Sequence, residues 1–240
     1  PAVVRPRPRR LLPPVDAAVL FPPSLRAALE ALPARERVGT ATDHRRWLLT
    51  RVVGEGAHRF DTYRALAVAL GARVRGAPQF PTRPSDPPVS VPEGHIGLNP
   101  VSVSGEVRQW PGFAELARRV RGPVVVYGGP GERNEVMARA SGRPVLVGLP
   151  LPAFATALRR CALFVSNDSG AAHFARACGV PTLVVYGSTR PERTGPLGAE
   201  AIVGPAVPCA PCHRQRCRFD HECFELPVQD VLERVEALRG

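Results

Sequence analysis

The chain has 240 residues, 44% of them hydrophobic, and a formal net charge of +11. No apolar run approaches the roughly 20 residues of a membrane helix, and the composition allows the buried core of one large or two small α/β domains. The charge is supplied by arginine, and no helix-turn-helix, RNP-like aromatic motif or basic repeat accompanies it, so a nucleic-acid partner is not expected. An anionic membrane surface or a phosphorylated substrate remains open.

The start, Pro1 to Arg10, carries charge with no apolar segment after it. No signal peptide is read there, and the simplest compartment is the cytoplasm. DAAVLF, ending at Phe21, predicts a short strand. SLRAALEALP, residues 24–33, predicts a helix capped by Ser24 and ended by Pro33. A second helix is expected over Phe60 to Leu70, stopping at Gly71. Pro78 to Gly94 holds six prolines and reads as an interdomain linker.

The pattern then becomes regular. Strands are expected at His95–Asn99, Pro123–Tyr127, Val145–Val147, Leu163–Ser166 and Thr182–Tyr186. Helices are expected at Phe113–Val120, Glu132–Ala140, Leu151–Arg160, Ala171–Cys178 and Val228–Leu238. Unbroken apolar strands alternating with helices indicate a parallel sheet covered on both faces. Such a sheet binds ligands at the carboxyl ends of its strands. The expected divisions are 1–77, the linker 78–94, and 95–240.

The segment LFVSNDSGAAHFARACGVPTLVVYGSTRPERTGP begins at Leu163. It runs from a buried strand through Asn167-Asp168-Ser169-Gly170 straight into a helix. Backbone amides at a helix start have no intrahelical partner, and with the helix dipole they form an anion site. Gly170 permits close approach, and His173 can donate a further hydrogen bond. The other reading is that Asp168 or Ser169 is an ordinary N-cap and His173 a surface residue.

D-S-G-x-x-H, a Gly-x-Pro exit from the helix and YGSTRPERTGP together resemble the signature of the heptosyltransferases, a family of inverting GT-B glycosyltransferases. The resemblance is closest to the heptosyltransferase II-like branch. It implies that Asp168, Ser169, Gly170, Ala171 and His173 hold the diphosphate and sugar of an ADP-heptose donor, with Thr189 nearby. NPVSVSGEVRQWP, from Asn99, resembles the family's Pro-Gly-Ala loop ending in Lys-x-Trp-Pro. It places Arg108 at the lysine position and Val101 at the glycine. Arginine pairs with phosphate bidentately, unlike lysine; alternatively Arg108 is a surface charge and Trp110 a core anchor. VVVYGGPGERNE, from Val124, holds Gly128 and Gly129, and its Glu132 matches the ribose-binding glutamate. Taken alone, Glu132 is also an acid favoured at a helix start by the dipole.

The resemblance thus implies a GT-B-like α/β fold of two Rossmann-like lobes with parallel sheets, the amino-terminal lobe truncated and lacking the Gly-Asp loop whose aspartate serves as base. Asp16 and Asp61 are present, but neither matches that base. Arg108 and Asp168 become the catalytic pair. An ADP-sugar is the donor, an anionic lipopolysaccharide-core glycolipid the acceptor, and the inner membrane face a peripheral docking surface. No cofactor is implied, and no Asp-x-Asp occurs to grip the nucleotide through a chelated metal. The alternative is a non-catalytic nucleotide-sugar-binding protein. Cys209, Cys212, Cys217 and Cys223 follow C-x2-C-x4-C-x5-C, with His213 and His221 among them. A structural zinc site, a disulfide pair and free thiols are all consistent with that spacing.

Overall fold

In the computed structural model the described residues are 11, 13–81, 87–102, 105–212, 214 and 216–239, the Asn134 side chain apart. Pro1 to Arg10 and His213 lie outside them. The chain forms two compact units, residues 1–76 and 77–240.

In the first unit, β1 (Ala17–Leu20), β2 (Glu36–Gly39) and β3 (Arg51–Val52) form a parallel sheet in the order β1-β2-β3. Helices α1 (Leu25–Glu30) and α2 (Arg59–Ala69) accompany it. The Ser24 hydroxyl accepts from the Ala27 amide, so it caps α1 as expected. The helix is shorter than predicted and ends before Pro33. The strands β2 and β3 went unread because ERVG and RV are short, charged and without alternation. Beside the apolar core of Leu20, Ala28 and Leu48 lies Arg45, whose side chain is fully buried. Its guanidinium donates to the carbonyls of Thr40 (2.9 Å), Pro22 (2.5 Å) and Ser24 (3.1 Å) and to the Thr40 hydroxyl (3.2 Å). Burial lowers its pKa from the ordinary value, the charges of Asp43 and Glu55 opposing that shift.

The second unit contains β4 (His95–Asn99), α3 (Phe113–Arg119), β5 (Val124–Gly128), α4 (Arg133–Ala140), β6 (Val145–Val147), α5 (Leu151–Leu158), β7 (Cys161–Asn167), α6 (Gly170–Ala177), β8 (Thr182–Tyr186), α7 (Pro191–Thr194), β9 (Glu200–Val203) and α8 (Val228–Arg239). The sheet is parallel in the order β6-β5-β4-β7-β8-β9. Strand order reverses between β4 and β7, so the crevice for a ligand opens at the carboxyl ends of those two strands.

Successive strand residues pack on opposite sides. Val124, Val126, Leu163 and Val165 join one core with Trp110, Leu116 and Val235. Val125, Tyr127 and Phe164 join another with Leu158 and Ala175. Both faces are covered, which is why these strands read as unbroken apolar runs. Gly97 is required by this packing: a Cβ there would meet Phe164 Cδ2 at 2.7 Å and Cys161 Sγ at 3.1 Å. β9 was unread because EAIV is mostly exposed at the sheet edge.

The stretch 78–94, expected to be a linker, belongs at its described residues to the second unit. Phe80 donates its amide to Ala177 O (2.7 Å), accepts from Arg159 (2.7 Å) and packs edge-on against Phe174. Val91 is buried in the core beside Tyr127. Burying these apolar side chains explains why a proline-rich segment lies against the domain rather than free of it.

At the amino end of β4, His95 is fully buried. Its Nδ1 is 2.7 Å from the Pro92 carbonyl, which can only accept, so Nδ1 carries the proton. Nε2 then receives Tyr127 OH (2.7 Å), with Cys161 Sγ at 3.0 Å. Burial pushes the Cys161 thiol up to about 12. This cysteine–histidine pair is at the opposite end of the sheet from the crevice and is a satisfied part of the core.

Candidate functional site

The turn Asp168–Ser169 joins β7 to α6 at the reversal of strand order. Neither side chain caps the helix. Ser169 occupies the N-cap position with extended backbone, but makes no capping hydrogen bond. Its hydroxyl is 3.0 Å from Ser166 Oγ and 3.3 Å from Asn99 Oδ1, drawn down into the sheet. Asn99 is anchored in turn by donating to the Tyr127 carbonyl at 3.1 Å. Asp168 accepts from the Thr189 hydroxyl at 2.8 Å and faces Arg108 at 3.9 Å. The amides opening α6 are therefore left without a side-chain cap among the described residues, the arrangement that receives an anion. Gly170 is exposed, its backbone is ordinary, and a Cβ there would enter open space. Open space, and no special conformation, is what this glycine contributes. His173, in the same helix, is exposed.

The segment after β4 brings Arg108 to this turn. Pro100 and Val101 leave the strand, and Val101 is buried in the core beside Leu98 and Trp110. A valine at the loop's glycine position thus faces inward and leaves the crevice unblocked. Residues 106–108 form a 3-10 turn. The Ser188 hydroxyl donates to the Val107 carbonyl at 2.6 Å. Trp110 is fully buried, edge-on to Phe113, and donates its indole N–H to the Leu226 carbonyl at 3.1 Å. Arg108 retains 30% side-chain exposure, and its Nε is buried without a partner among the described residues. It is neither a free surface charge nor a saturated ion pair.

Glu132 starts α4 beyond the glycine-rich turn after β5. Its Oε2 accepts from the Gly129 amide at 2.5 Å. A Cβ on Gly129 would sit 3.1 Å from that carboxylate, and one on Gly128 would sit 2.4 Å from Val136 Cγ2. Val136 leaves no room for a side chain at Gly128, and Glu132 leaves little at Gly129. The Gln109 side chain accepts from Arg139 of α4 at 3.1 Å, which ties this corner to the Arg108 segment.

The cysteine cluster behaves as a buttress. All four thiols are free, and among the described residues no group of three or more is arranged to hold a metal ion. The chain here packs against the loop that follows β8. Cys212 donates its amide to the Ser188 carbonyl at 3.2 Å, and Phe224 lies where any side chain on Gly187 would go. Cys223 is buried, and burial first, then the neighbouring thiols of Cys209, Cys217 and Cys212, push it up to about 11.

Sequence reasoning named Arg108, Glu132, Asp168, Ser169 and Thr189, of which Arg108, Asp168 and Thr189 meet at one turn. It did not single out the polar residues beneath them, Asn99 and Ser166, read as strand ends, and Asn167, read as part of the turn. Three polar residues at the ends of otherwise apolar strands were the available signal. Asp16, named as a carboxylate, is exposed beside Arg35 at 4.0 Å, and Asp61 is exposed in the first turn of α2. No described helix is long and apolar enough to cross a membrane.

Residues 15–222 match the family model described as glycosyltransferase family 9 (heptosyltransferase). The chain is 34% identical to lipopolysaccharide heptosyltransferase 1 of Pseudomonas aeruginosa over 52% of this chain and 39% of that protein. It is 28% identical to lipopolysaccharide heptosyltransferase 2 of Salmonella typhimurium over 78% of this chain and 64% of that protein. It thus spans less than two-thirds of the length of these curated relatives. The structure superposes on that of Escherichia coli ADP-heptose lps heptosyltransferase II with a TM-score of 0.72, at 25% identity, covering 93% of this chain and 76% of that one. With its parallel sheets, its uncapped helix at the strand reversal and a family match covering most of its length, the chain belongs to glycosyltransferase family 9, the heptosyltransferases.

Proposed function

We propose that the second unit binds an ADP-sugar donor and that the protein transfers a heptose or related sugar from it, with inversion, to a lipopolysaccharide-core-type acceptor. The observation that carries this reading is the uncapped start of α6, with Arg108 and Asp168 meeting beside it. Ser169 has been diverted from capping by Asn99 and Ser166, so the amides of Gly170 and Ala171 are kept for a ligand.

The chemistry follows. An acceptor hydroxyl oxygen forms a bond to the anomeric carbon and gives up its proton to water, while the bond to the diphosphate oxygen breaks, its electron pair leaving with ADP. Charge growing on that oxygen is met by the Arg108 guanidinium and the helix-start amides, donors already in place before reaction. Asp168, held by Thr189, presents its carboxylate to donor hydroxyls. Glu132, positioned by the Gly129 amide, accepts from the ribose. His173 donates to the phosphate. The acceptor is an anionic glycolipid, and the +11 chain charge favours peripheral docking at an anionic inner-membrane face.

Calorimetry with ADP, combined with a transfer assay across nucleotide sugars, tests this. ADP binding with turnover of an ADP-heptose supports it. A protein that binds no nucleotide removes the reading.

A further inference from the structure

We infer that Asn167 is a positioning residue that clamps the Arg108 segment onto the Asp168 turn. This rests on the donor-site reading above. Asn167 ends β7, immediately before Asp168, and is fully buried. Its Oδ1 accepts from the Trp110 amide at 2.8 Å, and its Nδ2 donates to the Pro100 carbonyl at 2.8 Å. One partner can only donate and the other can only accept, so the amide orientation is settled by its neighbours. Both belong to the segment bearing Arg108: Pro100 where it leaves β4, Trp110 two residues beyond Arg108.

Aspartate would face the Pro100 carbonyl without a proton to donate. Leucine would match the volume and orphan both backbone groups, each buried. Arg108 itself has little else to aim it: its Nε has no partner among the described residues, and its separation from Asp168 is 3.9 Å. Its direction is set through its backbone, which the Ser188 hydroxyl fastens at Val107 and Asn167 fastens at Pro100 and Trp110. The residue adjacent to the donor-site acid thus sets the place of the donor-site cation. The clamp serves charge recognition and leaves adenine and ribose binding to other residues.

The test uses the full chain with Asn167→Ser and Asn167→Leu, each alone and combined with Arg108→Ala. Hydrogen–deuterium exchange over 105–112, without ligand, reads the clamp directly. Calorimetry with ADP and with adenosine reads its consequence. Faster exchange over 105–112 is expected. ADP affinity should fall about tenfold, the size of one lost buried hydrogen bond. Adenosine affinity should be unchanged, and Arg108→Ala should be made no worse for ADP by either second change. Unchanged exchange overturns the clamp. Equal loss for ADP and adenosine, or effects of Asn167 and Arg108 that simply add, makes Asn167 a general core residue and overturns the positioning role. Loss of the melting transition in both variants does the same. If the parent chain binds no ADP, the donor-site reading falls and the exchange measurement alone decides the clamp.

Discussion

Arg108 and Asp168 face each other across 3.9 Å at the strand reversal, the guanidinium 30% exposed and the carboxylate 8% exposed. The pair is loose enough to open, because Asp168 keeps its hydrogen bond from Thr189 and Arg108 keeps a backbone held at Val107. Asp168→Ala should therefore separate two properties. ADP, a polyanion, should bind at least as tightly once a neighbouring negative charge is gone. Sugar transfer should fall by roughly a hundredfold or more, since the carboxylate proposed to hold the sugar is lost. Calorimetry and a transfer assay on the same preparation check this, and full turnover in the variant would remove Asp168 from the site.

Gly170→Asp should split stability from binding. A side chain there enters open space, and the backbone is not in the left-handed region. A carboxylate in the first turn of a helix is favourable by about 0.3–1 kcal/mol. The melting temperature should hold or rise slightly. ADP binding should be lost, because the new carboxylate takes the amides and repels phosphate. ADP bound with parent affinity by this variant would place the diphosphate elsewhere.

Arg45→Met should destabilise the first unit by about 3 kcal/mol, the scale for breaking a buried charged hydrogen-bond set. The carbonyls of Pro22, Ser24 and Thr40 lose their donor together. Because the contacts are confined to residues 1–76, the second unit should keep its ADP affinity. Chemical denaturation gives the stability, and an unchanged midpoint would show that Arg45 carries no such weight.

Acid should destabilise the second unit through His95. Burial lowers its pKa from the ordinary 6.5, opposed by its hydrogen bond to the Pro92 carbonyl and the charge of Glu93. The unfolded chain takes up this proton near 6.5 and the folded chain only at lower pH. Stability from this residue is intact above 6.5 and is lost as pH falls from there through the folded value. Thermal melts of the parent and His95→Gln between about pH 7 and 5 check it. The variant should lose part of the acid slope, and identical slopes would assign the acid sensitivity to other groups.

Most of the second unit was legible because its strands are buried on both faces. HIGLN, VVVYG and TLVVY need no tertiary information to be recognised as interior strands, and Asp-Ser-Gly after such a strand marks a helix start at a ligand crevice. The first unit was far less legible. Its sheet depends on ERVG and RV, whose pairing is set by neighbours far along the chain, and its buried arginine reads in sequence as one more surface charge. The proline-rich stretch showed its turn composition plainly, but its packing through Phe80 and Val91 depends on Arg159, Phe174 and Tyr127, distant in the chain.

Local spacing alone carried the alternation of elements, the family signature and the charged residues proposed for the site. Only the tertiary structure decided whether Ser169 caps α6. That choice depends on Asn99 and Ser166, which reach the Ser169 hydroxyl only after β4 and β7 pair. The same pairing puts Asn167 between Pro100 and Trp110, a contact across 57 residues of chain that no local pattern encodes.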